Sequence, residues 1–303
     1  MLTRRALLLT PAVLAATRIL QVPAEAAAKA RMTLALHQQT SSRAGYRASL
    51  EGWARAGITQ VEIVGNVLDG FLKTEPLSAA KSLLGDLGLT PVSGAGGSIG
   101  LLEALPDRAA TLDAFKRRCE QWAELGIPLI YSTTASSTKP TADLYKAAAD
   151  HAREVADIAR GFTLTALFEF QRTSTFVSTL PSMLTITRAA AAPNLGVLFD
   201  CYHFWSGLNK LADLDAVKPG EIRHVHFQDV PDLPREMLDL TTRVVPGDGV
   251  SPLVTILQKL AALGYHGPLS VELFLPQYTT GDPFTVAREI RSKAEAVIKR
   301  ARV

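Results

Sequence analysis

Four apolar runs in the second half of the chain each end in a side chain able to hold a metal ion. They are Leu167-Phe168-Glu169, Leu198-Phe199-Asp200, His224-Val225-His226 and Val271-Glu272. An ionised carboxylate at the end of a buried apolar run is costly unless it is paired or metal-bound. One such group is unremarkable, whereas four on consecutive strand candidates are hard to explain as packing. A structural ion-pair cluster is the bland alternative. Three carboxylates and one imidazole form a mostly hard, oxygen-rich donor set. It suits one divalent ion such as Mn2+, Mg2+ or Co2+ better than a tetrahedral, cysteine-bound zinc.

These residues need a frame that brings strand ends together. From residue 31 to residue 303, short apolar runs alternate with amphipathic stretches, the mark of repeated βα units and a parallel sheet. Strands are expected at Thr33–His37, Gln60–Val64, Thr90–Ser93, Pro128–Ser132, Leu164–Phe168, Gly196–Phe199, Ile222–Phe227 and Leu269–Phe274. Helices are expected at Tyr46–Ala56, Leu77–Leu87, Arg108–Leu125, Ala142–Arg160, Leu180–Ala191, Pro252–Leu263 and Phe284–Arg300. Eight strands in this rhythm predict one α/β domain, a (β/α)8 barrel, whose functional groups gather at the C-terminal strand ends. An open doubly wound sheet is the competing architecture, but no G-x-G-x-x-G follows the first strand. Gly94-Ala95-Gly96-Gly97 lacks a phosphate-loop lysine and is expected to be a plain loop. His37 and Glu62 fall near the ends of the first two strands, where a substrate contact or a structural role is expected. His224 shares a strand face with His226 and is expected to support it or pack in the core.

Residues 1–28 differ from the rest. Arg4 and Arg5 precede the apolar run Ala6–Ala16, and the small-residue stretch Ala24–Ala28 follows. This order predicts a secretory signal of the twin-arginine kind and a periplasmic protein, with Ala24-Glu25-Ala26 as an A-x-A cleavage site. A membrane anchor or an amphipathic helix is the alternative, although the run is short for a span. Removing residues 1–26 lowers the formal charge from +3 to +1. A nearly neutral domain without basic runs gives no footprint for nucleic acid, and none for a membrane once the signal is gone. Cys119 and Cys201 lack ligand spacing and are expected to be free thiols.

Longer motifs narrow the choice. Asp200-Cys201-Tyr202-His203 reads D-x-x-H, and His224 to Asp229 reads H-x-H-x-x-D. Arg243 to Gly249 reads R-x-x-P-G-x-G, and Gly264 to Glu272 follows as GYHGPLSVE. In this order they resemble the xylose-isomerase-like TIM-barrel family, within the AP endonuclease 2 superfamily. That group includes sugar phosphate isomerases and epimerases, ketose 3-epimerases, hydroxypyruvate isomerase and inosose dehydratase. The resemblance implies that Glu169, Asp200, His226 and Glu272 are metal ligands and that Glu169 and Glu272 are also the acid/base pair. It implies that His203 and Arg243 meet substrate oxygens; a packing histidine and a surface arginine are the alternatives.

The implied activity is a metal-dependent isomerase or epimerase of a small sugar or sugar derivative, working through a metal-bound enediolate. A lyase on the same site, resembling inosose dehydratase or cleaving a 3-keto-glycoside, needs the same first step. One departure bears on substrate. Ketose 3-epimerases carry another glutamate shortly after the strand-five ligand, where this chain reads Gln171-Arg172-Thr173-Ser174-Thr175. Ketohexose epimerisation is therefore disfavoured, and Arg172 becomes a candidate to face an anionic or keto group. An apurinic endonuclease would need more histidines than the six present and a basic surface. Intact paired glutamates argue against a non-catalytic sugar binder. The expected partner is a small carbohydrate, and self-association into a homo-oligomer is left open.

Overall fold

The computed structural model describes residues 31–97 and 100–303. The expected signal at 1–28 lies outside the described residues. Eight strands close into a barrel in chain order. They are β1 Thr33–His37, β2 Gln60–Ile63, β3 Thr90–Ala95, β4 Leu129–Thr133, β5 Thr165–Glu169, β6 Leu195–Asp200, β7 Ile222–His226 and β8 Pro268–Val271. All pairings are parallel, and Leu36 of β1 against Val271 of β8 closes the ring.

Around the barrel run helices α1 Gly45–Arg55, α2 Gly65–Phe71, α3 Leu77–Asp86, α4 Arg108–Glu124, α5 Ala142–Arg160 and α6 Leu180–Ala190. They continue as α7 Cys201–Ser206, α8 Leu253–Ala262, α9 Pro276–Thr279 and α10 Pro283–Ala301. Local chemistry sets several of their starts. The hydroxyl of Thr141 accepts from the Leu144 N–H at the head of α5 (3.1 Å), and the Asp282 carboxylate accepts from the Thr285 N–H at the head of α10 (2.9 Å). Pro283 then occupies the first turn of α10, where a missing N–H costs nothing. No described helix is long and apolar enough to cross a membrane.

Alternation along the strands sorts the side chains. Leu36, Val61, Ile130, Phe168, Phe199, Val225 and Val271 join Trp53, Phe115 and Trp122 in the large core between barrel and helices. Inside the barrel a small separate cluster of Tyr131, Leu167 and Leu198 forms the apolar filling. Two residues beyond Leu167 and Leu198, on the same face, stand Glu169 and Asp200. Register pairs Asp200 with His226 and His37 with Glu62, so all four point into one end of the barrel.

Two sequence expectations shift. β3 continues through Gly94 and Ala95, where a loop was expected. A Cβ on Gly94 would stand 2.6 Å from the indole of Trp122, so the missing side chain lets that ring lie on the strand. β8 ends at Val271, and Glu272 projects just past it. Cys119 and Cys201 are free, as expected, and both are buried.

Candidate metal centre

The ends of β5, β6, β7 and β8 bring their four candidates together. Nδ1 of His226 lies 3.0 Å from Oε1 of Glu169, 3.5 Å from Oε2 of Glu272 and 3.6 Å from Oδ2 of Asp200. One donor atom from each of the four lies within 4.8 Å of every other, and all four residues are buried. Three carboxylates this close repel one another strongly unless a cation sits among them. The donor set therefore fits a divalent ion.

The charges nearby are uneven. Burial pushes the Glu169 carboxyl up to about 7, against the pull of His226. Burial acts on Asp200 in the same sense, yet His203, Arg243 and His226 hold it well below the usual carboxylate range. His226 is pulled well above an ordinary histidine: burial opposes its charge, but Glu62, Glu272, Asp200 and Glu169 outweigh that. His203 goes the other way, depressed to about 4 chiefly by burial, and is a neutral imidazole.

The D-x-x-H spacing has a local cause. Asp200 is the N-cap of α7, and its Oδ1 accepts from the His203 N–H at 2.6 Å. Its Oδ2 turns to the other ligand candidates, accepting from the Gln228 amide at 2.5 Å and from Arg243 at 3.3 Å. His203 is thereby fixed on the first turn, and its Nε2 accepts from Arg243 at 3.0 Å. Arg243 is 2% exposed and no surface residue. Its guanidinium reaches Glu272 at 3.1 Å and is gripped between the rings of Tyr202 (5.2 Å) and Phe274 (4.6 Å).

The last residue of H-x-H-x-x-D explains the R-x-x-P-G-x-G stretch. The Asp229 carboxylate accepts backbone N–H groups from Val230 and Ser251 (both 2.9 Å), Gly247 (3.0 Å) and Gly249 (3.1 Å). Its backbone also pairs with Val244, one residue from Arg243. A Cβ on Gly249 would meet the Val230 carbonyl at 2.2 Å, so only glycine allows this approach. Asp229→Ala is therefore expected to cost at least about 2 kcal/mol of stability, because charged acceptors of buried N–H groups are expensive to lose. It should also raise KM through a loosened Arg243. Thermal melts and steady-state kinetics check this, and a variant that melts with the parent would refute it.

The remaining candidates sit lower or to one side. His37 Nδ1 accepts from the Gln39 N–H (3.2 Å), so Nε2 carries the proton and faces the Tyr131 hydroxyl (2.8 Å) and Glu272 (3.7 Å). Glu62, for which a substrate contact or a structural role was expected, lies fully buried with one oxygen on each of two histidines: 3.2 Å to His226 Nε2 and 2.8 Å to His224 Nε2. Burial alone would raise its pKa, but His224, His226 and His37 hold it well below the usual range. Arg172 spends its guanidinium on the carbonyls of Leu238 and Arg235, tying the loop after β5 to the loop after β7. Sequence reasoning missed Tyr131 and Gln228. Both lie inside predicted strands or motifs, and only their contacts, Tyr131 with His37 and Gln228 with Asp200, show that they face the cluster.

The model of the family described as xylose isomerase-like TIM barrel matches residues 50–297. An inosose isomerase of Halalkalibacterium halodurans is 28% identical over 167 residues, covering 54% of this chain and 59% of that protein. A 3-dehydroshikimate dehydratase of Pseudomonas aeruginosa is 30% identical over 244 residues, covering 74% of this chain and 35% of that protein. The chain thus spans less than two thirds of either relative. Among solved structures, the IolI protein with a bound zinc atom superposes with a TM-score of 0.83 at 22% identity, covering 89% of this chain and 99% of that one. With a barrel closed in chain order and a family match over most of its length, the chain belongs to the xylose isomerase-like TIM barrel family.

Proposed function

We propose that the chain is a divalent-metal-dependent enzyme that moves a proton at carbon beside a carbonyl in a small sugar or sugar derivative. The observation that carries this is the convergence of Glu169 and Glu272 on one buried point, with Asp200 and His226 completing the ligand set. When bound, the ion polarises a carbonyl and offsets negative charge as it develops. The chain does the rest. One glutamate takes the carbon-bound proton and becomes a carboxylic acid, leaving an enediolate. The other, entering the step as a carboxylic acid, returns its proton to carbon and is left a carboxylate. Burial raises the proton affinity of Glu169, the direction that suits a carboxylate meant to accept a proton from carbon. Arg243 stays charged: burial opposes this, but Glu272, Asp200 and Glu169 outweigh it. It offers a fixed positive charge beside the reacting oxygens, and His203 adds a neutral hydrogen-bonding group.

Return of the proton gives isomerisation or epimerisation. Loss of a β-hydroxyl from the same enediolate gives dehydration. The named relatives span both outcomes, an isomerase of inosose and a dehydratase, which supports the shared first step. The loop after β5 carries no acid, which weighs against a ketohexose as substrate. Export through residues 1–28 belongs to this proposal and would favour an unphosphorylated substrate.

The test is NMR in D2O, with Mn2+-loaded or Mg2+-loaded enzyme against inososes, unphosphorylated ketoses and 3-keto-glycosides. Deuterium should enter at carbon beside the carbonyl. Unchanged product mass apart from deuterium marks an isomerase, and loss of water or aglycone marks a lyase. Absence of exchange from all three classes with metal bound would reject the proton-transfer reading for them.

A further inference from the structure

We propose that Glu62 and His224 form a buried positioning pair that orients His226 and sets the affinity of the site for its metal. The inference rests on the metal-dependent reading above and concerns residues to which that reading gives no task. Glu62 projects from β2 across the barrel interior to β7. Its two oxygens are divided, Oε1 to Nε2 of His226 and Oε2 to Nε2 of His224. Both histidines lie on one strand two residues apart, so both face the same way and one carboxylate serves both. All three side chains are fully buried, where an ionised carboxylate is tolerated only with committed partners.

The consequence is directional. An imidazole that donates Nε2–H to Glu62 keeps the lone pair of Nδ1 in the ring plane on the opposite side. Nδ1 is the atom that faces Glu169, Asp200 and Glu272. A carboxylate accepting from the far nitrogen also makes the near nitrogen a stronger donor. His224 holds the second oxygen of Glu62, which fixes the rotation of the carboxylate. Nδ1 of His224 has no hydrogen-bond partner among the described residues, so Glu62 is its one anchor there. Glu62 and His224 touch neither substrate nor ion in this scheme; they act through His226.

The experiment titrates metal-free protein with Zn2+ against a competing chromophoric chelator. Parent, Glu62→Gln and His224→Gln are compared, with folding checked by circular dichroism. Glu62→Gln should weaken Zn2+ binding by about 10- to 100-fold, and His224→Gln should weaken it less. A purely structural role would lower the melting temperature and leave the affinity in place. Long-range 1H–15N spectra of the Zn2+-loaded parent give a readout that needs no variant. His226 should carry its proton on Nε2, slow to exchange, and none on Nδ1. A folded Glu62→Gln that binds Zn2+ as tightly as the parent overturns the proposal, and so does a parent His226 protonated on Nδ1. A parent that takes up no Zn2+ overturns the metal-dependent reading as well, so the two failures are distinct.

Discussion

Replacing Glu169 or Glu272 by glutamine is expected to lower kcat/KM by about 100- to 10,000-fold, the range carried by a positioned acid or base. Both residues stand in the candidate ligand cluster, so lost metal and lost proton transfer must be separated. Asp200 makes the separation feasible. Its Oδ1 is committed to the His203 N–H and its Oδ2 to Gln228 and Arg243, so it has no oxygen free to carry a proton. Glu169 has only His226 as a hydrogen-bond partner among the described side chains, and Glu272 only the salt-bridge contacts with His37, His226 and Arg243. Asp200→Asn should therefore behave as a weakened ligand whose activity recovers as metal is raised. Glu169→Gln and Glu272→Gln should stay impaired at saturating metal and should lose exchange of the substrate C–H with solvent. Steady-state rates across metal concentration, with deuterium exchange followed alongside, decide the matter. Glutamine variants within tenfold of the parent at saturating metal would remove both glutamates from proton transfer.

The same residues show how far the sequence carries. The four ligand candidates were legible because each ends an apolar run, and a buried charge needs a reason. The barrel was legible from its alternation, and every expected strand overlaps an observed one. Local segments escaped where the chemistry was not local. α7 is built from Cys201, Tyr202, His203, Phe204, Trp205 and Ser206, a poor helix-forming string. Asp200, the ligand candidate at the end of β6, also caps it. α2 begins at Gly65 without a side-chain cap, so nothing in its sequence announces it. The Asp of H-x-H-x-x-D was visible as a letter, but its task of holding the loop at Gly247 and Gly249 depends on a chain reversal that spacing does not encode. Glu62 stood near the expected strand end yet points inward to histidines 162 and 164 residues further along the chain, since register across a barrel is a property of closure.

Metal binding should strengthen as pH rises through neutrality, and metal-induced stabilisation should widen with it. Glu169 is pushed up to about 7 and His226 is held well above its ordinary value, so both must shed protons to receive an ion. The sign for the chelated protein follows from linkage. A carboxyl with a raised pKa binds its proton more tightly folded than unfolded. Its contribution is full below about 4.5 and is lost as pH climbs to about 7, a loss of about 3 kcal/mol at 1.36 kcal/mol per unit. His203 has the opposite sense: depressed to about 4, it adds stability as pH rises from there to 6.5, and the two largely offset. Above 6.5 that offset ends. His226, with a raised pKa, then gives up stability as pH rises further. Asp200 and Glu62, both depressed, contribute above the ordinary carboxylate range and lose that contribution only in acid. Chelated protein should therefore melt at progressively lower temperature between pH 6.5 and 8.5. An ion at a hundredfold excess over its Kd adds about 2.7 kcal/mol and should flatten that decline. Melts at pH 6, 7 and 8 with chelator or with Zn2+ test this directly. A metal-induced shift equal at pH 6 and pH 8 would mean that ion and protons do not compete for Glu169 and His226, and would remove them from the ligand set. A shift that widens with pH in the parent and narrows in Glu169→Gln would place one of the competing protons on that carboxyl.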